Sequence, residues 1–275
     1  MSNVKKIQEI QLDILKSFIQ ICDKHQLRYY FIGGSLIGVL RHKGFIPWDD
    51  DIDLGMPRSD FDKFCSLQKD FPEGFSLINH ENDSSWNFNL VQFVDNESKI
   101  IIRMNELPRE ASVWIDIFPI DGAPRNKLLR WTHLKYVMLM RYLIQLANVR
   151  TQVRTNIEGR PWYEKIVLKA AHYVPFEKIV NVETILKKMS ISLKKYDFDK
   201  MPFAGNLLGR RREHECVPKS WWGSPTMRPF EDLMVSCPAA SEKYLSHIYG
   251  DFMQLPPLEK RESHDVEIVK TRTIF

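Results

Sequence analysis

Apolar residues recur at helical spacing from the start of the chain: Val4, Ile7, Ile10, Ile14, Phe18 and Ile21 predict an amphipathic helix over 4–25. The aromatic and β-branched run 27–32 predicts a strand that stops at Gly33-Gly34, with Ser35 placed to cap a short helix over 36–41. A loop over 42–50 holding Pro47 leads to a second strand over 51–56. Past Pro57, Ser59 with Asp62 three residues on has the form of a capping box, opening a helix to about residue 69. Further strands are expected over 75–79, 88–94, 100–104 and 113–118. From 126 to 195 the pattern turns helical, with a break at Glu158-Gly159-Arg160-Pro161. The last third is mixed: a strand over 203–208, an aromatic-rich loop over 218–229 and a helix over 241–249.

Composition narrows the picture. A chain of 275 residues can bury a substantial core. The net charge of +4 is too small to argue for nucleic acid, and none is expected as a partner. Its distribution is uneven. Acid gathers at 49–53, while base recurs through Arg125, Lys127, Arg130, Lys135, Arg141, Arg150 and Arg154. Cys22, Cys65, Cys216 and Cys237 form no CxxC pair and read as free thiols of a reducing cytosol. The first sixteen residues carry lysines but no long apolar core, unlike a secretory signal. The longest apolar stretch, 128–149, is interrupted by Lys135 and Arg141, so no membrane span is expected; a peripheral role at the inner membrane face stays open.

The chemistry lies in Asp49-Asp50-Asp51-Ile52-Asp53. In an extended strand Asp49, Asp51 and Asp53 share one face. Carboxylates so close repel, and they stay ionised together only beside a cation. Gly33-Gly34 lets backbone N–H groups approach phosphate, and a helix N-terminus adds favourable partial charge. Two carboxylates two residues apart can bridge magnesium ions that clamp attacking and leaving oxygens. Asp116, alone among Val113, Trp114, Ile115, Ile117 and Phe118, is the candidate third acid.

Blander readings fare worse. A calcium loop needs Gly where Leu54 stands and Glu where Asp60 stands. A solvated charge run is seldom flanked by Phe45-Ile46-Pro47-Trp48 and by Ile52 and Leu54. A dinucleotide or P-loop site on 33–38 lacks the middle glycine and any Gly-Lys-Ser/Thr. His214, Cys216, Cys237 and His247 fit no standard zinc spacing.

Gly33-Gly34-Ser35-Leu36-Ile37-Gly38, followed by Arg41-His42-Lys43-Gly44-Phe45-Ile46-Pro47-Trp48 and the aspartates, resembles the LicD family of phosphocholine transferases, relatives of the fukutin-related proteins. The likeness continues in Trp114-Ile115-Asp116-Ile117-Phe118-Pro119-Ile120-Asp121-Gly122 and in 249–257, with Lys260, Arg261 and His264. It implies an α+β fold: a polymerase-β-type nucleotidyltransferase core, a mixed sheet with flanking helices, plus a helical region. The chain then divides into a catalytic core over 1–124, a helical region over 125–202, and a mixed segment over 203–275 that returns to the cleft.

The resemblance further implies transfer of phosphocholine from CDP-choline to a hydroxyl of a cell-envelope glycan (a lipopolysaccharide, teichoic acid or capsule precursor), with release of CMP. Transfer of another phospho-alcohol or of a nucleotidyl group, or a non-catalytic glycan-binding role, is the alternative. By the family pattern Asp51 and Asp53 hold magnesium, or manganese in its place, with Asp49 behind them, and Asp116 takes the acceptor's proton. Gly33, Gly34 and Ser35 would anchor phosphate, and Arg41 and Lys43 offset its charge. Choline calls for aromatic faces; Trp86, Trp114 and Tyr249 are candidates, and Trp221-Trp222, in a loop, are the pair singled out.

Overall fold

The computed structural model describes residues 3–83, 86–102, 109–148, 179–209, 211–261 and 266–271. Helix α1 (Asn3–His25) follows the predicted stripe, burying Ile7, Ile10, Ile14, Leu15, Phe18 and Ile21. It ends through Gln26 in the left-handed region (φ 55°), where Leu27 N–H closes on the Cys22 carbonyl at 2.8 Å. Next come β1 (Tyr30–Phe31), α2 (Gly33–Ile37), a π-helical turn (Gly38–His42), β2 (Asp53–Pro57), α3 (Arg58–Ser66), β3 (Phe75–Ile78), β4 (Val91–Ile102) and β5 (Arg109–Ala123). The remainder contributes α4 (Lys127–Ala147), α5 (Val182–Leu193), β6 (Phe203–Gly205), β7 (Val217–Pro218), α6 (Lys219–Trp222), β8 (Thr226–Phe230), β9 (Leu233–Cys237), α7 (Ser241–Tyr249) and β10 (Val266–Lys270).

This is the expected α+β class, a mixed sheet flanked by helices. Among the described residues the sheet runs β1-β2-β5-β4-β10, with β3 on β4, and β6 and β7 continuing from β5. β5 is its spine: parallel to β2 over 116–120, and antiparallel to β4 along its first half and to β6 at its end. Val113, Ile115, Ile117 and Ile120 of β5 are buried in the main core with the α1 stripe. A second, smaller core joins Leu134, Val137, Met140 and Ile144 of α4 to Leu186, Met189 and Leu193 of α5. Asn126 and Asn181 cap these two helices, accepting from Leu128 and Leu129 N–H and from Thr184 N–H. The expected break at 158–161 lies outside the described residues.

Several local expectations are corrected. The strands expected over 88–94 and 100–104 form one, because a bulge carries β4 through its polar stretch. There Ser98 Oγ accepts from Val113 N–H and donates to the Asp95 carbonyl, each at 2.8 Å. The capping box is absent: α3 starts at Arg58 without a side-chain cap, and Asp62 pairs instead with Lys194 at 3.0 Å. The loop expected over 218–229 holds α6 and the first strand of a β8–β9 hairpin.

Arg58 grips the fully buried Asp121 through two hydrogen bonds of 2.7 Å. Arg58→Met would strand that charge and should cost about 3–5 kcal/mol in urea unfolding, most of it recovered in Arg58→Met/Asp121→Leu. A loss below about 1 kcal/mol in the single variant would contradict a structural role for this pair.

Candidate active site

The site begins where β1 meets β2. Ile32 N–H donates to the Asp53 carbonyl at 3.2 Å, and the chain turns at once into α2 through Gly33 at φ 57°. Helix α2 therefore starts at Gly33 with Ile32 at its N-cap, not at Ser35 as the sequence suggests. The buried Ser35 hydroxyl accepts from Asp53 N–H at 2.8 Å, so it positions Asp53 and keeps its own proton to donate.

The two glycines lie against two carboxylates. A methyl group on Gly33 would sit 3.1 Å from Asp53 Oδ2 and 3.8 Å from the Tyr249 hydroxyl; one on Gly34 would sit 3.1 Å from Asp49 Oδ2. β2 starts at Asp53, two residues later than expected, so Asp49 and Asp51 precede the strand rather than sharing its face. The third acid does join them. Asp53 pairs with Asp116 in the parallel β2–β5 register, and Asp116 N–H donates to the Ile52 carbonyl at 2.9 Å. Neighbouring strands lie about 4.8 Å apart, which sets these side chains next to each other on one face.

Electrostatics follow from the crowding. Burial, and then the charges of Asp51, Asp116, Asp49 and Glu215, push the Asp53 carboxyl well above the usual carboxylate range. Asp116 is oriented by neutral donors: Gln92 Nε2 reaches Oδ1 at 3.0 Å and Trp114 Nε1 reaches Oδ2 at 3.1 Å. The loop carrying Asp49 and Asp50 is splinted by α1. Gln8 Nε2 donates to the Asp49 carbonyl at 2.7 Å, and buried Gln11 Nε2 to the carbonyls of Asp50 at 2.8 Å and Trp114 at 3.1 Å. Gln92 and Gln11 escaped sequence reasoning, although Gln92 stands as an amide within an apolar run, the signal that picked out Asp116; Gln11 lies in a polar stretch of α1 and gave no such signal. Glu215 was missed as well. It is buried, its Oε1 accepts from Arg211 N–H at 3.1 Å, and burial pushes its carboxyl up to about 7.

The basic and aromatic candidates separate. Arg41 ties the π-helical turn to the C-terminal loop, donating to the carbonyls of Phe252 at 2.8 Å and Gln254 at 3.3 Å. Lys43 is exposed and left-handed (φ 57°), and its carbonyl accepts from Glu231 N–H at 2.8 Å. Trp222 is withdrawn as a choline ligand. It is fully buried between Tyr30 and Tyr244, and its Nε1 donates to the Ala204 carbonyl. Trp221 turns instead to α7, edge-on to His247 and with Lys243 Nζ 4.9 Å from its ring centre. Trp114 and Tyr249 border the carboxylates. Among the described residues no three His, Cys, Asp or Glu side chains close on one point. A divalent ion held here would complete its shell from phosphate and water, as magnesium does beside one or two carboxylates.

A glycine turn opening a helix beside acids from two parallel strands defines a nucleotidyltransferase-type core. Residues 26–140 match the family described as LicD/FKTN/FKRP, nucleotidyltransferase domain. Over 96% of its length and 96% of the relative's, the chain is 26% identical to the lipopolysaccharide cholinephosphotransferase LicD of Haemophilus influenzae. Two uncharacterized proteins, from Rickettsia typhi and Rickettsia prowazekii, are 31% and 36% identical over 67 and 47 residues, covering 22% and 18% of those chains.

Because the folded Glu215 lies above its ordinary 4.5, its contribution to stability is full below pH 4.5 and is lost as pH rises through about 7. Glu215→Gln, neutral throughout, should gain stability on wild type across that window by about 3 kcal/mol. Unfolding free energies of the two that run parallel from pH 4 to 8 would contradict this burial.

Proposed function

We propose that the chain transfers phosphocholine from CDP-choline to a hydroxyl of a cell-envelope glycan, a lipopolysaccharide precursor in the first instance, and releases CMP. The observation that carries this reading is the meeting of Asp53 and Asp116 across β2 and β5, beside two glycines that lie against the Asp53 and Asp49 carboxylates. The near full-length likeness to a lipopolysaccharide cholinephosphotransferase supports the same substrates. Four free cysteines support a reducing, cytoplasmic setting.

Asp51 and Asp53 would hold the divalent ion, magnesium or manganese; when bound, it withdraws charge from the diphosphate and stabilises the departing phosphate. The crowding that raises Asp53 fits such a cation. Backbone N–H groups at Gly33 and Gly34, with the Ser35 hydroxyl, anchor phosphate oxygens. Asp116, its orientation set by Gln92 and Trp114, takes the proton of the acceptor hydroxyl as that oxygen bonds to the choline-bearing phosphorus. The bond from this phosphorus to the CMP oxygen breaks, and CMP leaves with the electron pair. Arg41 contributes by holding the C-terminal loop in place. Tyr249, its ring beneath the Arg211 guanidinium at 4.8 Å, borders the same site through its hydroxyl near Gly33.

Purified protein, CDP-choline, magnesium and candidate glycans, with products read by mass spectrometry, test this directly. Phosphocholine on the glycan and free CMP are expected. Pyrophosphate as the product would replace the reading with nucleotidyl transfer, and an unaltered donor would replace it with a binding role. Asp116→Asn should slow CMP release by about 10²- to 10⁴-fold. Asp53→Asn should also abolish turnover while leaving the melting temperature equal or higher, since it removes a repelled charge. Near-normal turnover in either variant would refute the assignment.

A further inference from the structure

We propose that the outward face of α4 is a docking surface for an anionic lipid bilayer. The inner face of this helix is committed, with Leu134, Val137, Met140 and Ile144 packed against α5. The opposite face should then be polar. Instead, Leu128, Trp131, Leu139 and Tyr142 fall on it at helical spacing and are 68%, 57%, 51% and 44% exposed. A helix that exposes an apolar stripe bordered by basic residues suits a membrane surface. No described helix is long and apolar enough to cross a membrane, which leaves a helix lying along the surface.

Charge selects the occupant. Residues 125–148 contain five Lys or Arg and no Asp or Glu, and Lys188 of α5 and Lys195 just past its end add to the basic character. Cations flanking an apolar stripe complement anionic headgroups, and Trp and Tyr favour the boundary between headgroup and acyl chain. A groove running from Leu129 and Tyr136 of α4 to Lys188 and Ile191 of α5 widens the same surface.

The surface is also coupled to the carboxylates. Lys135 Nζ pairs with Glu213 at 2.7 Å, and Arg141 donates to the carbonyls of Leu207 at 3.1 Å and Gly209 at 3.0 Å. Both contacts fasten α4 to the loop that leads into Glu215, which is buried. A lipid-borne acceptor lying in the docked bilayer would thus be gathered to the site. That last consequence rests on the phosphocholine-transfer reading; the docking does not.

Co-sedimentation without donor tests the docking, using vesicles of phosphatidylethanolamine and phosphatidylglycerol against vesicles of phosphatidylcholine alone. Wild type should bind the anionic vesicles at least about tenfold more tightly, and Leu128→Glu/Leu139→Glu should lose at least about tenfold of that binding. The variant should keep its circular dichroism spectrum and its CMP release with a soluble sugar acceptor. If the double variant does not fold, Trp131→Ser serves in its place. Equal vesicle binding by wild type and variant overturns the proposal. So does a wild type that ignores anionic vesicles but forms a dimer, by light scattering, that the variant dissolves. A chain that docks as stated yet releases no CMP refutes the transfer reading and leaves the docking standing.

Discussion

Parallel pairing of β2 with β5 sets Asp53 beside Asp116. Burial, and then the charges of Asp51, Asp116, Asp49 and Glu215, make Asp53 hold its proton far more tightly than a free carboxyl. An amide and an indole donate to the two Asp116 oxygens, and such neutral donors orient a carboxylate without cancelling its charge. Five residues along the same strand, Asp121 receives the opposite treatment: a bidentate arginine and complete burial. One strand thus carries an acid set among other carboxylates and an acid whose charge is spent on the fold.

Holding such a cluster requires splints from distant parts of the chain. Gln8 and Gln11 fix the loop before β2 from α1. Arg41 secures the 252–254 turn, and Arg261 donates to the Pro256 carbonyl while stacking over Trp48 at 4.7 Å. Tyr249, at the end of α7, brings its hydroxyl to Gly33. The sequence blocks that resemble the family are therefore one assembly in space, joined by side chains whose loss would loosen the carboxylates without touching a substrate.

Much of this was legible beforehand. The α1 stripe and the helix at 241–249 were read to within a residue, because a strong 3.6-residue period survives any tertiary context. The acids were legible because polar residues inside apolar strands stand out. The β8–β9 hairpin was not. Its turn is Glu231-Asp232, with Glu231 at φ 51°, a conformation usually signalled by Gly or Asn. Here tertiary contacts supply what the turn lacks: Glu231 N–H bonds the Lys43 carbonyl, and its carboxylate accepts from Phe45 N–H at 3.0 Å. The tryptophan pair misled for a related reason. Pro, Gly and Ser around Trp221-Trp222 suggested an open loop, yet α6 turns Trp222 into the core while its neighbour stays at the surface. Glu215 gave no local signal, since its burial depends on the segment of Gly205, Gly209 and Arg211 folding against it.

The central claim is that Asp51 and Asp53, beside Asp116 of the neighbouring strand, hold a divalent ion on a diphosphate. Electron paramagnetic resonance of manganese with the purified chain and CDP-choline measures this most directly. The account predicts a bound-manganese spectrum that needs the nucleotide and disappears in Asp53→Asn. Manganese that stays free in the wild type, or binds as tightly in that variant, would contradict it.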